Sequence, residues 1–321
     1  MAQIEKSCRI IIEQCMALKS NESCLIVSDH LLRYIGESLH KNCLKITKKS
    51  KLVLTSIPKT HGTEPPENIA RQMLNYDVIL MPTAKSLSHT RARKAASKKG
   101  ARIASMPGIT VDMMQRALNV DFYRIREQNK KLISMLKGRS KITIKSENKT
   151  DASFFVKGRS WISDDGIYTK KGAFGNLPAG EIFIAPLEGK TEGTLIVDAS
   201  IGGIGKVDKK IKIAIKEGFA QEIKGGSAAK IFMEIIDEKN DFSSNNNFFP
   251  KNLYRNVAEL GIGTNYKAII TGNVLEDEKV SGTCHVAFGN NRHFGGRVDV
   301  PFHVDVVIKK PNIFADGRLI F

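Results

Sequence analysis

The chain reads as an α/β N-terminal domain with a mostly parallel sheet, followed by a β-rich α+β C-terminal domain. Three observations predict this. Apolar, strand-like segments alternate with amphipathic helical segments through the first part of the chain, which implies a parallel sheet covered on both faces. From about residue 138 the character changes: glycine becomes frequent, helical spacing becomes rare, and "SKITIKSEN" and "ASFFVKG" alternate as antiparallel strands do. The length, 321 residues, is enough for two domains of ordinary size. We therefore expect an α/β sheet domain over 1–138 and an α+β domain over 139–321.

The elements follow in order. Residues 3–19 place Ile4, Cys8, Ile11, Cys15 and Leu18 at helical spacing. "SCLIVSD" (23–29) reads as a buried strand, "LLRYIGESLHKNCLKI" as a helix and "KLVLTSI" (51–57) as a second strand. "PPENIARQMLN" is a helix with proline at its start. "DVILMPT" (77–83) is a strand, and "SLSHTRARKAASKKG" is a helix stopped by Gly100. "ARIASMP" (101–107) is the fourth strand, and "TVDMMQRALN" and "DFYRIREQNKKLISMLKG" complete the half as helices. In the second half "AAKIFMEIIDEKN" and "KNLYRNVAELGIG" are the helix candidates, and "DFSSNNNFFPKN" (241–252) is the clearest loop. "PFHVDVVIKK" (301–310) reads as a strand.

Composition narrows the class. The hydrophobic fraction is 41% and the charged fraction 26%, as in soluble globular proteins. No apolar run approaches the roughly 18–20 residues that span a bilayer, and the N-terminus lacks the pattern of a secretory signal. The five cysteines, Cys8, Cys15, Cys24, Cys43 and Cys284, are odd in number and include no CxxC. They read as reduced, mostly buried thiols of a cytoplasmic protein. Net charge is +17, but the lysines are spread along the chain, aromatics are only 7%, and no nucleic-acid motif is present. The charge reads as a generally basic surface without a specific nucleic-acid partner. A nicotinamide or ATP site is not expected: no GxGxxG follows "SCLIVSD", and "GGIGKVDKK" has neither the spacing nor the helix of a phosphate loop.

Three of the seven histidines lie close together: His285, His303 and, between them, His293. In the strand 301–310, His303 and Asp305 share a face. Burying that pair is costly unless something charged or hydrogen-bonding meets it. With His285 it supplies two imidazoles and a carboxylate, a set that suits a divalent transition metal or the facial triad of non-haem iron. A histidine bonded to its neighbour gives the same pattern. Glu181 in "LPAGEIFIAP" and Glu259 in "RNVAELGIGTN" sit in apolar, glycine-bounded settings where an unpaired carboxylate is expensive to bury; exposed loop carboxylates are the alternative. "LEDEK" (275–279) reads as a solvated turn, because three adjacent acidic side chains cannot easily converge. Ser88, His89 and Thr90 read as an ordinary helix start, with anion binding as the alternative.

"NLPAGEIFIAP", "AELGIGTN", "LEDEK", "GTCHVAFGNN" and "HVD....PNIFADG", in that order, resemble the metallo-aminopeptidase family typified by aminopeptidases T and S. The resemblance is densest over residues 172–321. It implies a metal-dependent aminopeptidase that acts on a peptide or related small molecule, holds two divalent ions (zinc or cobalt) and forms a homodimer. The metal ligands would be Glu181, Glu259, His285, His303 and Asp305, with water activated between the ions. The family's catalytic tyrosine, seven residues after the first histidine, is here Arg292, with His293 next. An arginine could stabilise negative charge with a different reach. A ring-cleaving dihydroxypyridine dioxygenase is similar to this peptidase family. On that reading His285, His303 and Asp305 would hold a single iron. A non-catalytic binding protein on the same scaffold is the third reading.

Overall fold

The computed structural model describes residues 2–238 and 252–320 and divides into two compact units. The first comprises 1–126, 164–180 and 265–268; the second comprises 127–163, 181–264 and 269–321. The chain therefore returns to the first unit twice after leaving it. Residues 241–251 of the expected loop lie outside the described residues.

The first unit is built on five parallel strands. In chain order they are β1 (Cys24–Asp29), β2 (Ser50–Thr55), β3 (Val78–Met81), β4 (Arg102–Ser105) and, much later, β8 (Phe174–Asn176), arranged β2-β1-β3-β4-β8. Helices α1 (Ala2–Arg9), α2 (Arg33–Cys43), α3 (Glu67–Met73), α4 (Arg91–Lys99) and α5 (Val111–Arg116) alternate with them. The period-2 rule explains why β1 is apolar throughout. Cys24 and Ile26 enter one core with α1 and α2, while Leu25 and Val27 enter the other with α3 and α4. Thr90 caps α4, accepting from the Arg93 backbone N–H at 3.2 Å, and Gly100 ends it at φ +108°. The spacing expected for residues 3–19 continues past α1 as a π-helical turn, Ile10–Cys15. β8 is a strand the sequence reading does not contain: three residues, "FGN", without periodicity. Its Gly175 lies under the Tyr168 ring, where a Cβ would come within 2.4 Å.

The second unit packs two seven-stranded sheets around one apolar core. The first, in the order β14-β13-β10-β6-β5-β18-β19, uses β5 (Lys141–Lys145), β6 (Asp151–Phe155), β10 (Glu192–Val197), β13 (Ile211–Lys216), β14 (Phe219–Lys224), β18 (Asn312–Ala315) and β19 (Arg318–Leu319). The second, in the order β12-β11-β17-β16-β15-β9-β7, carries the candidate ligands. Its strands are β7 (Ile162–Asp164), β9 (Glu181–Ile184), β11 (Ser200–Ile201), β12 (Gly205–Lys206), β15 (Val257–Gly263), β16 (Thr283–Gly289) and β17 (His303–Lys309). The expected helix in "AAKIFMEIIDEKN" is present as α7 (Ser227–Glu238).

The helix expected over "KNLYRNVAELGIG" is instead a 3₁₀ turn, Leu253–Arg255, followed by β15. Seven successive buried residues, two of them glycine, cannot form a one-sided helix face. They suit a central strand bonded to β9 on one side and β16 on the other. Among the described residues no helix is long and apolar enough to cross a membrane. All five cysteines are free and buried.

Candidate metal centre

Four neighbouring strands, β9-β15-β16-β17, pair antiparallel in the second sheet. Their alternation sorts every residue. Ile182, Ile184, Leu260, Ile262, Cys284, Val286, Phe288, Val306 and Ile308 point into the unit's core. The opposite face therefore presents Glu181 and Phe183 from β9, Glu259 and Gly261 from β15, His285 from β16, and His303 and Asp305 from β17. A bulge between Val257 and Glu259 brings Glu259 into this phase. Five residues predicted from sequence as ligands thus share one sheet face.

Two glycines let them meet. Gly261 lies directly across from His285 in the ladder, and a Cβ there would stand 1.9 Å from His285 Nε2. The imidazole thus crosses the bare backbone of β15 toward Glu181 on β9. Gly263 gives the same clearance to a second group, since its Cβ would meet Val280 O at 2.2 Å and Lys279 C at 2.8 Å. The "LGIG" motif is a track without side chains, with the imidazole lying over one end and the 279–280 backbone over the other.

The "LEDEK" run corrects the reading of a solvated turn. Helix α8 (Val274–Asp277) opens it, and Glu276, Asp277 and Lys279 are fully buried. Adjacent side chains do diverge, as expected, but into different buried tasks. Asp277 accepts from the backbone N–H groups of Thr271 and Gly272 and from Ser200 Oγ, and Glu276 accepts from Ile269 N. Glu278 and Lys279 turn the other way and join the cage. Lys279 Nζ donates to Glu181 Oε1 at 2.5 Å and lies 2.7 Å from Glu278 Oε1. The sequence carried one signal for this: the charged run is bracketed by Val274–Leu275 and Val280 rather than by polar residues.

The distances define the chemistry. His285 Nε2 lies 3.2 Å from Glu181 Oε2 and 3.3 Å from Glu259 Oε1. His303 Nε2 lies 3.6 Å from both Glu259 Oε2 and Asp305 Oδ1, and its Nδ1 is 2.9 Å from the Asn290 carbonyl. One imidazole proton cannot serve two carboxylates at once, and Glu181 Oε2 and His285 Nδ1 have no hydrogen-bond partner. Buried polar atoms are rarely left so. Ligand atoms of Glu181, Glu259 and His285 lie within 4.8 Å of one another, as do those of Glu278, His285 and Asp305. A carboxylate and imidazole donor set of this size fits a divalent cation.

The electrostatics agree. Burial alone would lower the His285 pKa, but Glu259 and Glu181 raise it to about 9. Burial likewise opposes protonation of His303, which Asp305 and Glu259 bring up to about 10. Burial raises Glu259, and it pushes Glu278 up to about 8 against the pull of Lys279. Against burial, His303 holds Asp305 down at about 2. Such a cage collects positive charge. Protons and a metal ion would compete there for the same imidazole lone pairs.

Arg292 and His293, which the peptidase resemblance sets at the place of its tyrosine, lie on an exposed 3₁₀ turn, Arg292–Phe294. The Arg292 side chain is 64% exposed, with Nη1 3.2 Å from Asp299 Oδ2. Phe294 of the same turn stands edge-on to His303 and to Phe183, with centroids 5.9 and 5.6 Å apart. His303, its side chain 30% exposed, marks the open side of the cage.

Comparison with known proteins identifies a family and a fold. The family model described as "NicX: 2,5-dihydroxypyridine 5,6-dioxygenase" matches residues 37–321. A 2,5-dihydroxypyridine 5,6-dioxygenase of Pseudomonas putida is 25% identical over 174 residues, covering 50% of this chain and 46% of that protein. The aligned stretch therefore spans about half that relative's length. The solved structure of 2,5-dihydroxypyridine dioxygenase from Pseudomonas putida KT2440 superposes with a TM-score of 0.81 at 18% identity, covering 99% of this chain and 95% of that one. Wild-type AmpT from Thermus thermophilus superposes with a TM-score of 0.70 at 15% identity, covering 100% and 99%. At these identities both structures establish the fold, an aminopeptidase-like scaffold, and nothing finer.

Proposed function

Because the chain belongs to the 2,5-dihydroxypyridine 5,6-dioxygenase family, we propose that the cage of the second unit is the metal centre of a ring-cleaving dioxygenase. His285, His303 and Asp305 would hold the metal, with Glu181 and Glu259 beside them. When bound to such a set, Fe(II) supplies open coordination positions and redox chemistry toward a hydroxylated ring and dioxygen. The chain's own residues do the rest. Glu259 aligns both imidazoles, meeting His285 with Oε1 and His303 with Oε2. The Asn290 carbonyl fixes the His303 ring by accepting a hydrogen bond from Nδ1–H, which would leave Nε2 for the metal. Asp305 opposes His303 from the same strand face.

One observation carries this choice over a hydrolase. Arg292, which the peptidase resemblance sets at the place of that family's tyrosine, has an exposed guanidinium engaged by Asp299. An arginine held in that way is not aimed into the cage as an oxyanion donor for peptide hydrolysis would be. One observation favours a second reading, a two-metal aminopeptidase: the two oxygens of Glu259 face different histidines, as a bridging carboxylate's would.

The experiment is direct. Protein loaded anaerobically with Fe(II) is offered 2,5-dihydroxypyridine and oxygen, with metal per chain measured on the same sample. We expect one iron per chain, and oxygen uptake with loss of the ring absorbance. Two ions per chain with turnover of aminoacyl amides, and no ring consumption, would establish the hydrolase instead.

A further inference from the structure

A lysine with 1% relative exposure is an unusual part of an acidic cage. Lys279 enters the site with both neighbouring geometries fixed. Its backbone lies against Gly263, where a Cβ would come within 2.8 Å. The preceding acids Glu276 and Asp277 tie α8 to the 269–272 backbone. The ammonium is therefore delivered to one place, between Glu181 Oε1 at 2.5 Å and Glu278 Oε1 at 2.7 Å. The cage has three lobes. Glu181 Oε2, Glu259 Oε1 and His285 Nε2 form the inner one; Glu259 Oε2, His303 Nε2 and Asp305 Oδ1 form the outer one. Two glutamate oxygens form the third, and Lys279 fills it.

We propose that Lys279 is a positioning residue that acts as a built-in cation: it fills the third lobe, keeps that lobe from taking a metal ion, and confines Glu181 to ligation through Oε2. This rests on the reading of the cage as a metal centre, whichever of the two reactions it performs. The physical reason is competition. Two buried carboxylates converging on one point require a positive charge, and either an ammonium or a divalent ion can supply it. An ammonium tethered by its own backbone is already in place before any metal arrives.

The test measures divalent ions per chain, and the visible spectrum after cobalt loading, in wild type, Lys279→Met and Lys279→Arg. Lys279→Met vacates the third lobe with little change of volume, so it should bind one more ion per chain than wild type and show altered cobalt bands. Lys279→Arg keeps a cation there and should retain the wild-type ratio and spectrum. Identical ratios and superimposable spectra in wild type and Lys279→Met would overturn the proposal, as would an extra ion in Lys279→Arg. Crystals of wild type in excess zinc guard against a variant that fails to fold. No anomalous peak is expected between Glu181 Oε1 and Glu278 Oε1, and a peak there with Lys279 displaced would also overturn it. Wild type that takes up no divalent ion would refute the metal centre itself, a result distinct from these.

Discussion

Both units bury charge, and they do so in opposite ways. In the first unit Arg102 has both terminal guanidinium nitrogens on Glu22, at 2.8 and 2.7 Å, with only Nε unpartnered. Asp29, at the end of β1, is buried and accepts from the backbone N–H groups of Leu31, Leu32 and Ala84. Each of these charges meets its counter-charge or backbone donors within the chain. In the second unit four carboxylates, two imidazoles and one ammonium converge, and Glu181 Oε2 and His285 Nδ1 have no hydrogen-bond partner. Buried charge of itself therefore says little about function. What distinguishes the second region is that its charges converge in one cage of ligand-type donors, carboxylates facing imidazoles, rather than closing as one ion pair or one carboxylate on backbone N–H groups.

The largest effect expected from this contrast is stabilisation by metal. An ion held at about 1,000 times its dissociation constant should stabilise the folded chain by about 4 kcal/mol. Thermal unfolding with and without Fe(II) or Zn²⁺ measures it, and His285→Ala should remove the shift. An equal upward shift in His285→Ala would place the binding elsewhere and remove the contrast.

The Glu22–Arg102 ion pair of the first unit should respond to a different variable. Glu22→Gln strands Arg102 in the interior and should cost about 3 kcal/mol by denaturant unfolding, with metal uptake unchanged. The pair also predicts an acid limb. Hydrogen bonding to Arg102 depresses the Glu22 pKa in the folded chain, against the opposing effect of burial. Its contribution is therefore present above the unfolded value, about 4.3, and is lost as pH falls through the lower folded value. Wild type should lose stability across that window more steeply than Glu22→Gln; parallel profiles would show that the pair contributes nothing.

Next comes Gly261→Ala. A methyl group there collides with His285 Nε2, and relief by shifting the ring or the strand should cost about 2 kcal/mol. The informative readout is metal affinity, which should fall by about ten- to a hundredfold, as when an orienting contact is lost. Unchanged affinity would mean that His285 does not need the glycine track.

How much of this was legible in the sequence follows from how local each signal is. The parallel strands β1 to β4 were readable because each is an apolar run between helices. β8 was not, because a three-residue "FGN" strand is defined by its partner β4 and carries no period of its own. Glu181, Glu259, His285, His303 and Asp305 were singled out, the glutamates by apolar settings and the His303/Asp305 pair by period 2. Their convergence depended on four-strand register, which no single segment encodes. Glu259 was also placed at the exit of a helix, because glycines and a preceding "NLYRNVAEL" suggest one. Only the neighbours β9 and β16 make that stretch a central strand. "LEDEK" was misread for the same reason. A charged run looks solvated until the bare backbone of Gly263 provides a surface on which to bury it.

The smallest predicted effect concerns Arg292, and it is informative because it should be small. An exposed guanidinium paired with an exposed Asp299 is a surface ion pair, worth about 0–1 kcal/mol. Arg292→Ala should therefore leave metal content unchanged and shift unfolding by no more than that. If Arg292 replaced the peptidase tyrosine as an oxyanion donor, its loss would instead cut turnover of aminoacyl substrates by about a hundredfold or more. Turnover of a hydroxypyridine ring that survives Arg292→Ala and is lost in Asp305→Ala would assign the chemistry to the buried cage rather than to its exposed rim.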